Sequence, residues 1–389
     1  MLRKKIILLV IISLLMPNLL LAMPTIEDGD LDSYVLIDRP SGHILLEKKK
    51  DDPVHIEGAT NILTAIIAIE ESDLSRRVTI GENPVRVMGT KVYLQERERI
   101  VLSELVRAAL VYSANDAALA IAENHSGTDV KFVEVLNAKA SELGCENTVF
   151  TNSFGQRDSR HVTTAYDLAI MAQYAMNNET FAEFAGTKSF NWSGASWQAL
   201  ITNRNILVEQ YPGIKGVMAG TRGNQDRIDL VLSYQDQDRD YLLVMTNANV
   251  EKVFDQATQI LQYTAENYEM VRVVEAEAPV INFTAQDGTP FKGLSERAIS
   301  IPIRRGTEYE ITKEFFMQEI KRPVRENQKI GEVLFLIDGE QLERMSVISD
   351  TSLSRRYGFF TLFIYAFAFL YAVQIAYRVI KMRRKPRRR

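Results

Sequence analysis

The sequence predicts an α+β fold, one antiparallel sheet flanked by helices and followed by a smaller β-domain. Three observations predict it. Hairpin-like strand pairs stand at the two ends of residues 30–268, helix-period segments fill the stretch between them, and from residue 272 the text changes to short strands joined by Gly and Asp turns.

The first pair is YVLIDRPSGHILLEK (34–48), where apolar residues alternate around a Pro-Ser-Gly turn. Helix patterns follow at 58–71, 102–124, 130–143 and 163–177, the second with Ser103 as its expected cap. That second pattern is interrupted by YSANDAALAIAEN (112–124). Ser113, Asn115 and Asp116 compete for backbone hydrogen bonds, so two helices joined by a loop are expected there. RIDLVLSYQDQDRDYLLVMTNA (227–248) reads as a second hairpin around a polar turn, and VEKVFDQATQILQYTAENYE (250–269) as an amphipathic closing helix. Beyond it, APVINFTAQDGTPFKG, AISIPIRRGTEYEI and KIGEVLFLIDGEQLERMSVI supply the strands of a β-domain over 272–350.

Both ends carry membrane signals. Residues 1–22 have a basic start (Arg3, Lys4, Lys5), an apolar run and a candidate cleavage position after Ala22, the pattern of a secretory signal peptide, with an uncleaved anchor as the alternative. YGFFTLFIYAFAFLYAVQIAY (357–377) contains no charge and has the length of a transmembrane helix. The tail 378–389 holds eight basic residues in twelve, which places it on the cytoplasmic side. Without the signal and the tail, 35 basic face 50 acidic residues, about −15. That balance argues against nucleic acid as a partner. Cys145 is the only cysteine, so no intrachain disulfide or cysteine-rich metal site can form. His43, His55, His125 and His161 show no metal-ligand spacing, and neither metal nor cofactor is expected.

LSELVRAALVYSANDAALAIAE, LNAKASELGCENTVFTNSFG, RHVTTAYDLAIMAQYA, NRNILVEQYPGIKG and IKRPVRENQKIGEVLFLIDGEQL occur in this order over about 30–350. Together they resemble the D-alanyl-D-alanine carboxypeptidases, the low-molecular-mass penicillin-binding proteins of peptidase family S11. The resemblance implies a β-lactamase/transpeptidase-like domain over 30–268 and a small C-terminal β-sandwich. It also implies an exported protein acting on peptidoglycan. The family's reaction uses a Ser-x-x-Lys helix start, in which the lysine takes the proton of the attacking serine. A Ser-x-Asn loop faces it, and a Lys-Thr-Gly strand holds the substrate carboxylate.

Placed in that frame, IEGATNILTA puts Gly58 at the nucleophile and Asn61 at the base. Ser113 and Asn115 keep the second motif, while Met218, Ala219 and Gly220 stand where Lys-Thr-Gly belongs. Glycine offers no nucleophile and an amide no amine base. No Ser-x-x-Lys and no Lys-Thr-Gly occurs anywhere in the chain. Thr60 projects about 200° away from position 58 on a helix, and Lys215, an odd number of residues from 218, faces the other side of a strand. In serine hydrolases loss of the nucleophile costs on the order of a million-fold in rate. The sequence therefore implies a non-catalytic family member that binds peptidoglycan peptides or an envelope protein. An active D,D-carboxypeptidase and a structural scaffold with a collapsed cleft are the alternatives.

Overall fold

The structure is a computed structural model that describes residues 30–221, 226–285, 288–318, 323–353 and 359–383. The expected signal segment lies outside these residues, as do Tyr357 and the end of the basic tail.

The strands expected at the two ends of the first part meet in one sheet. β1 (Ser33–Asp38), β2 (Ile44–Lys48), β3 (Ile214–Thr221), β4 (Arg227–Gln235) and β5 (Asp240–Asn249) form an antiparallel sheet in the order β2-β1-β5-β4-β3. The β1–β2 turn is closed by Asp38, whose carboxylate accepts from the Ser41 N–H, and by Gly42 at φ +75°. Alternation along these strands feeds two cores. Val35, Ile37, Val231, Leu242 and Val244 join one apolar cluster, while Leu36, Leu230, Leu232, Leu243 and Met245 join another. Helices cover both faces, which is why these strands read as nearly continuous apolar runs.

The first cluster takes in α1 (Thr60–Glu71), α2 (Leu102–Val111), α3 (Asn115–Ser126), α4 (Asp129–Glu142) and α5 (Ala165–Met176). The second is closed by α6 (Val253–Asn267). The pattern over 102–124 breaks where Ser113 and Asn115 predict it, with residues 112–114 between α2 and α3. α4 is capped by Thr128, whose hydroxyl accepts from Lys131 N–H, and α5 by Thr164, which accepts from Asp167 N–H.

Ser103 does not cap α2. The helix starts one residue earlier, directly from the short strand Arg99–Val101, and Ser103 N–H donates to Leu74 O. A tertiary carbonyl thus replaces the side-chain cap.

Two compact units emerge. The first comprises the described residues up to Val271 together with Ser300–Glu308, and the second comprises Arg272–Ile299 and the described residues from Tyr309 onward. In the second, one five-stranded antiparallel sheet runs in the order Pro279–Thr284, Pro290–Ser295, Glu340–Ser349, Lys329–Ile337, Ile311–Met317.

Residues Phe359–Arg383 are helical. Among the described residues no helix is long and apolar enough to cross a membrane. The transmembrane expectation for 357–377 is therefore not carried by the structure. The helix continues through Arg378, Lys381 and Arg383, and the first residues of the apolar run lie outside the description.

Candidate functional site

The three family motif positions come together although they are up to 162 residues apart in sequence. Gly58, just before α1, Ser113 and Asn115, at the α2–α3 joint, and Gly220 on β3 line a single groove of about 600 Å³. The helical core that holds α1 against α2 and β3 fixes this juxtaposition.

The inner end of the groove is shut. A Cβ built on Gly58 would stand 2.9 Å from Gly220 Cα and 3.5 Å from Met218 Sδ. Two backbones therefore touch where the family frame has a serine side chain. Met218 is fully buried in the helical core, whereas Ala219 belongs to the core on the opposite face of the sheet. Ser113, held at φ +55°, donates its hydroxyl to Ala219 O at 2.9 Å. This bond ties the α2–α3 joint directly to β3.

Asn61 lies beneath the groove and is also fully buried. Its Nδ2 donates to Ala109 O at 3.1 Å, and its Oδ1 has no hydrogen-bond partner among the described residues. Asn115 is fixed to the loop that crosses it. Its Nδ2 donates to Met88 O at 2.9 Å and its N–H to Thr90 O at 2.8 Å. Gly89, at φ +93°, makes that crossing possible, since a Cβ there would meet Asn115 Nδ2 at 2.6 Å.

The two substitutes weighed from the sequence are both engaged elsewhere. Thr60 is fully buried and its hydroxyl lies 2.8 Å from His161 Nε2. Because His161 Nδ1 accepts from Thr151 N–H at 2.9 Å, Nε2 carries the proton and donates to Thr60. Burial holds the imidazole neutral, with its pKa pushed down to about 4. Lys215 lines a different cavity, beside Gly186, Tyr211 and Gln235.

Sequence reasoning missed the groove's walls. Arg204 lines the groove, and its guanidinium donates to Thr90 Oγ1 at 3.1 Å and Thr221 Oγ1 at 3.0 Å. Its flanking asparagines aim it. Asn203 Nδ2 donates to Thr187 O, Asn203 Oδ1 accepts from Asn205 N–H, and Asn205 Oδ1 accepts from Leu207 N–H. Burial pushes the Arg204 pKa below its ordinary value, with the Tyr112 hydroxyl opposing. No carboxylate salt bridge to Arg204 forms among the described residues. A half-buried guanidinium held by hydroxyls retains donors and charge for an anionic ligand. Lys91, Tyr93 and Tyr112 complete the wall. The one textual hint was the Asn-Arg-Asn triplet, whose short amides favour turns that fix the residue between them.

A family model described as D-alanyl-D-alanine carboxypeptidase matches residues 22–250. The D-alanyl-D-alanine carboxypeptidase DacF of Bacillus subtilis is 28% identical over 340 residues, covering 85% of this chain and 87% of that protein. DacA of Haemophilus influenzae is 24% identical over 343 residues, covering 82% and 84%. Among solved structures, penicillin binding protein 5 from Haemophilus influenzae matches with a TM-score of 0.69 at 23% identity, over 85% of this chain and 99% of that one. A peptidoglycan synthesis regulatory factor from Streptococcus pneumoniae matches with a TM-score of 0.70 at 20% identity, over 83% and 99%. These likenesses agree with the mixed α+β fold, and the chain belongs to the D-alanyl-D-alanine carboxypeptidase family, peptidase family S11.

Proposed function

We propose that this chain is a non-catalytic member of its family that acts at the cell wall by binding. The observation that carries the reading is the contact of Gly58 with Gly220, which leaves no space for a nucleophilic side chain at position 58. Asn61 adds to it, because its amide is bonded to Ala109 O and is no base. Catalysis by Ser113 would need its hydroxyl freed from Ala219 O and an amine base to activate it.

The ligand we assign is a peptidoglycan stem peptide. The groove persists at about 600 Å³, the ordinary size of a ligand site, and Arg204 supplies a cation for a terminal carboxylate. The peptide would bind across Arg204, Thr90 and Thr221, and no acyl bond would form. Titration calorimetry with a D-Ala-D-Ala pentapeptide, run beside an assay for released D-alanine, tests this. Saturable binding without D-alanine release is expected. Release of D-alanine would restore the reading of an active carboxypeptidase.

A second reading, a scaffold in which the cleft has closed, draws support from buried Met218 and the Ser113–Ala219 bond. Absence of peptide binding would favour it.

We further propose that the protein is exported and associates with the membrane through the helix Phe359–Arg383. Its side chains Phe363, Phe367, Phe369, Leu370 and Val373 are exposed, and the basic run follows. Membrane fractionation of the full chain against a chain ending at residue 353 tests this, with release of the shorter chain expected.

A further inference from the structure

The groove wall carries aromatic side chains at positions that none of the three motifs occupies. Tyr93 and Tyr112 line the groove. Trp197, from the turn of the hairpin Ser189–Ser193/Gln198–Thr202, braces both. Its ring centroid lies 5.6 Å from Tyr93, edge-on at 73°, and 6.0 Å from Tyr112, tilted at 34°. Arg204 stands 6.0 Å from the Tyr112 ring, and Lys91 5.6 Å from the Tyr93 ring. The wall thus runs from cation to cation through braced rings.

Tyr93 holds its place under strain. Its φ is +57°, a region that a bulky residue rarely adopts. The N–H groups of its neighbours Val92 and Leu94 both donate to the buried Asp116 carboxylate at 3.1 Å. Its own carbonyl accepts from Ser196 Oγ at 2.6 Å. Burial of Val92 and Leu94 accounts for the loop's path, but a glycine at 93 would allow that path without strain. The tyrosine ring is not consumed in packing, since Tyr93 remains 54% exposed. A rigid ring is therefore presented at the groove.

We infer that Tyr93 and Tyr112, braced by Trp197, form a stacking platform for the amino-sugar ring of a ligand whose peptide carboxylate reaches Arg204. The inference rests on the proposal that the groove takes a stem peptide and adds a saccharide subsite to it. A pyranose has an apolar C–H face that suits an aromatic ring, and a hydroxylated rim that Lys91 can donate to. Steps of 6.0, 6.0 and 5.6 Å lead from Arg204 through Tyr112 and Trp197 to Tyr93. Those steps set only an upper limit on the distance from Arg204 to Tyr93, and that limit is within the reach of about five extended residues, as many as the pentapeptide that links the sugar to the terminal carboxylate.

The test is titration calorimetry of the full chain with an N-acetylmuramoyl pentapeptide and with the same pentapeptide lacking the sugar. The sugar-bearing ligand is expected to bind about tenfold tighter, the scale of one good aromatic stacking contact. Tyr93→Gly, which suits the backbone and removes the ring, is expected to bring the Kd values of the two ligands together. Tyr93→Phe is expected to retain the difference. Equal wild-type affinities for the two ligands would overturn the platform while leaving peptide binding intact, and so would a sugar advantage that survives Tyr93→Gly. Failure of both ligands to bind would overturn the platform together with the peptide-binding proposal beneath it.

Discussion

Restoring the family serine alone should damage this protein. In Gly58→Ser the new Cβ lands 2.9 Å from Gly220 Cα, 3.5 Å from Met218 Sδ and 3.8 Å from Gly220 C. Carbon atoms rest at about 3.5–4.0 Å, so α1 and β3 must part by roughly 0.5–1 Å. The atom met first is backbone in a paired strand, with Gly220 opposite Asp229 on β4, and it cannot rotate away. Overpacking of this kind costs about 1–3 kcal/mol. The movement also strains the nearby bond from Ser113 to Ala219. For a domain of this size each kcal/mol lowers Tm by ~2–4 °C, so a loss of roughly 2–12 °C is expected by scanning calorimetry. Gly58→Ala should lose as much, because the Cβ and not the hydroxyl is responsible. A fluorescent penicillin should leave Gly58→Ser unlabelled, since Asn61 provides no base. A variant that melts with the wild type and takes up the label would refute the reasoning.

Other perturbations follow from single contacts. The folded pKa of His161, about 4, lies below its unfolded value of 6.5. Its contribution is therefore complete above pH 6.5 and lost as pH falls through 4, roughly 3 kcal/mol in all. Urea denaturation at pH 7.5 and 4.0 should show wild type losing more stability than His161→Asn, and equal losses would contradict the assignment. Gly89→Ala places a Cβ 2.6 Å from Asn115 Nδ2 at φ +93° and should cost about 1–3 kcal/mol, read as a lower denaturation midpoint. Arg204→Gln should weaken a pentapeptide by about ten- to a hundredfold in calorimetry with little change in Tm, because it removes a charge-assisted contact to the carboxylate.

The fold was legible because its signals are local. Apolar stretches on either side of a turn in 34–48 and 227–248 marked both hairpins, and the short polar side chains of Ser113 and Asn115 marked the break between α2 and α3. The residues Gly58, Asn61 and Met218 were legible as such, since a residue's identity needs no structure. The misjudged cap of α2 had a tertiary cause, because the strand Arg99–Val101 and Leu74 O fix that end. The groove's walls were not legible for the same reason. Tyr93 and Trp197 are 104 residues apart, and their meeting depends on Asp116 clamping one loop and Ser196 latching a hairpin to it. Arg204 was present in the text, but its aim comes from two asparagine side chains bonding to backbone.

Under the proposed function, the scaffold has lost the means to form an acyl bond at position 58. The measurement that meets this loss most directly is incubation of the purified wild-type chain with radiolabelled benzylpenicillin, followed by denaturing electrophoresis. A band without label is expected at every concentration. A stoichiometric label that persists through denaturation would contradict the proposed function.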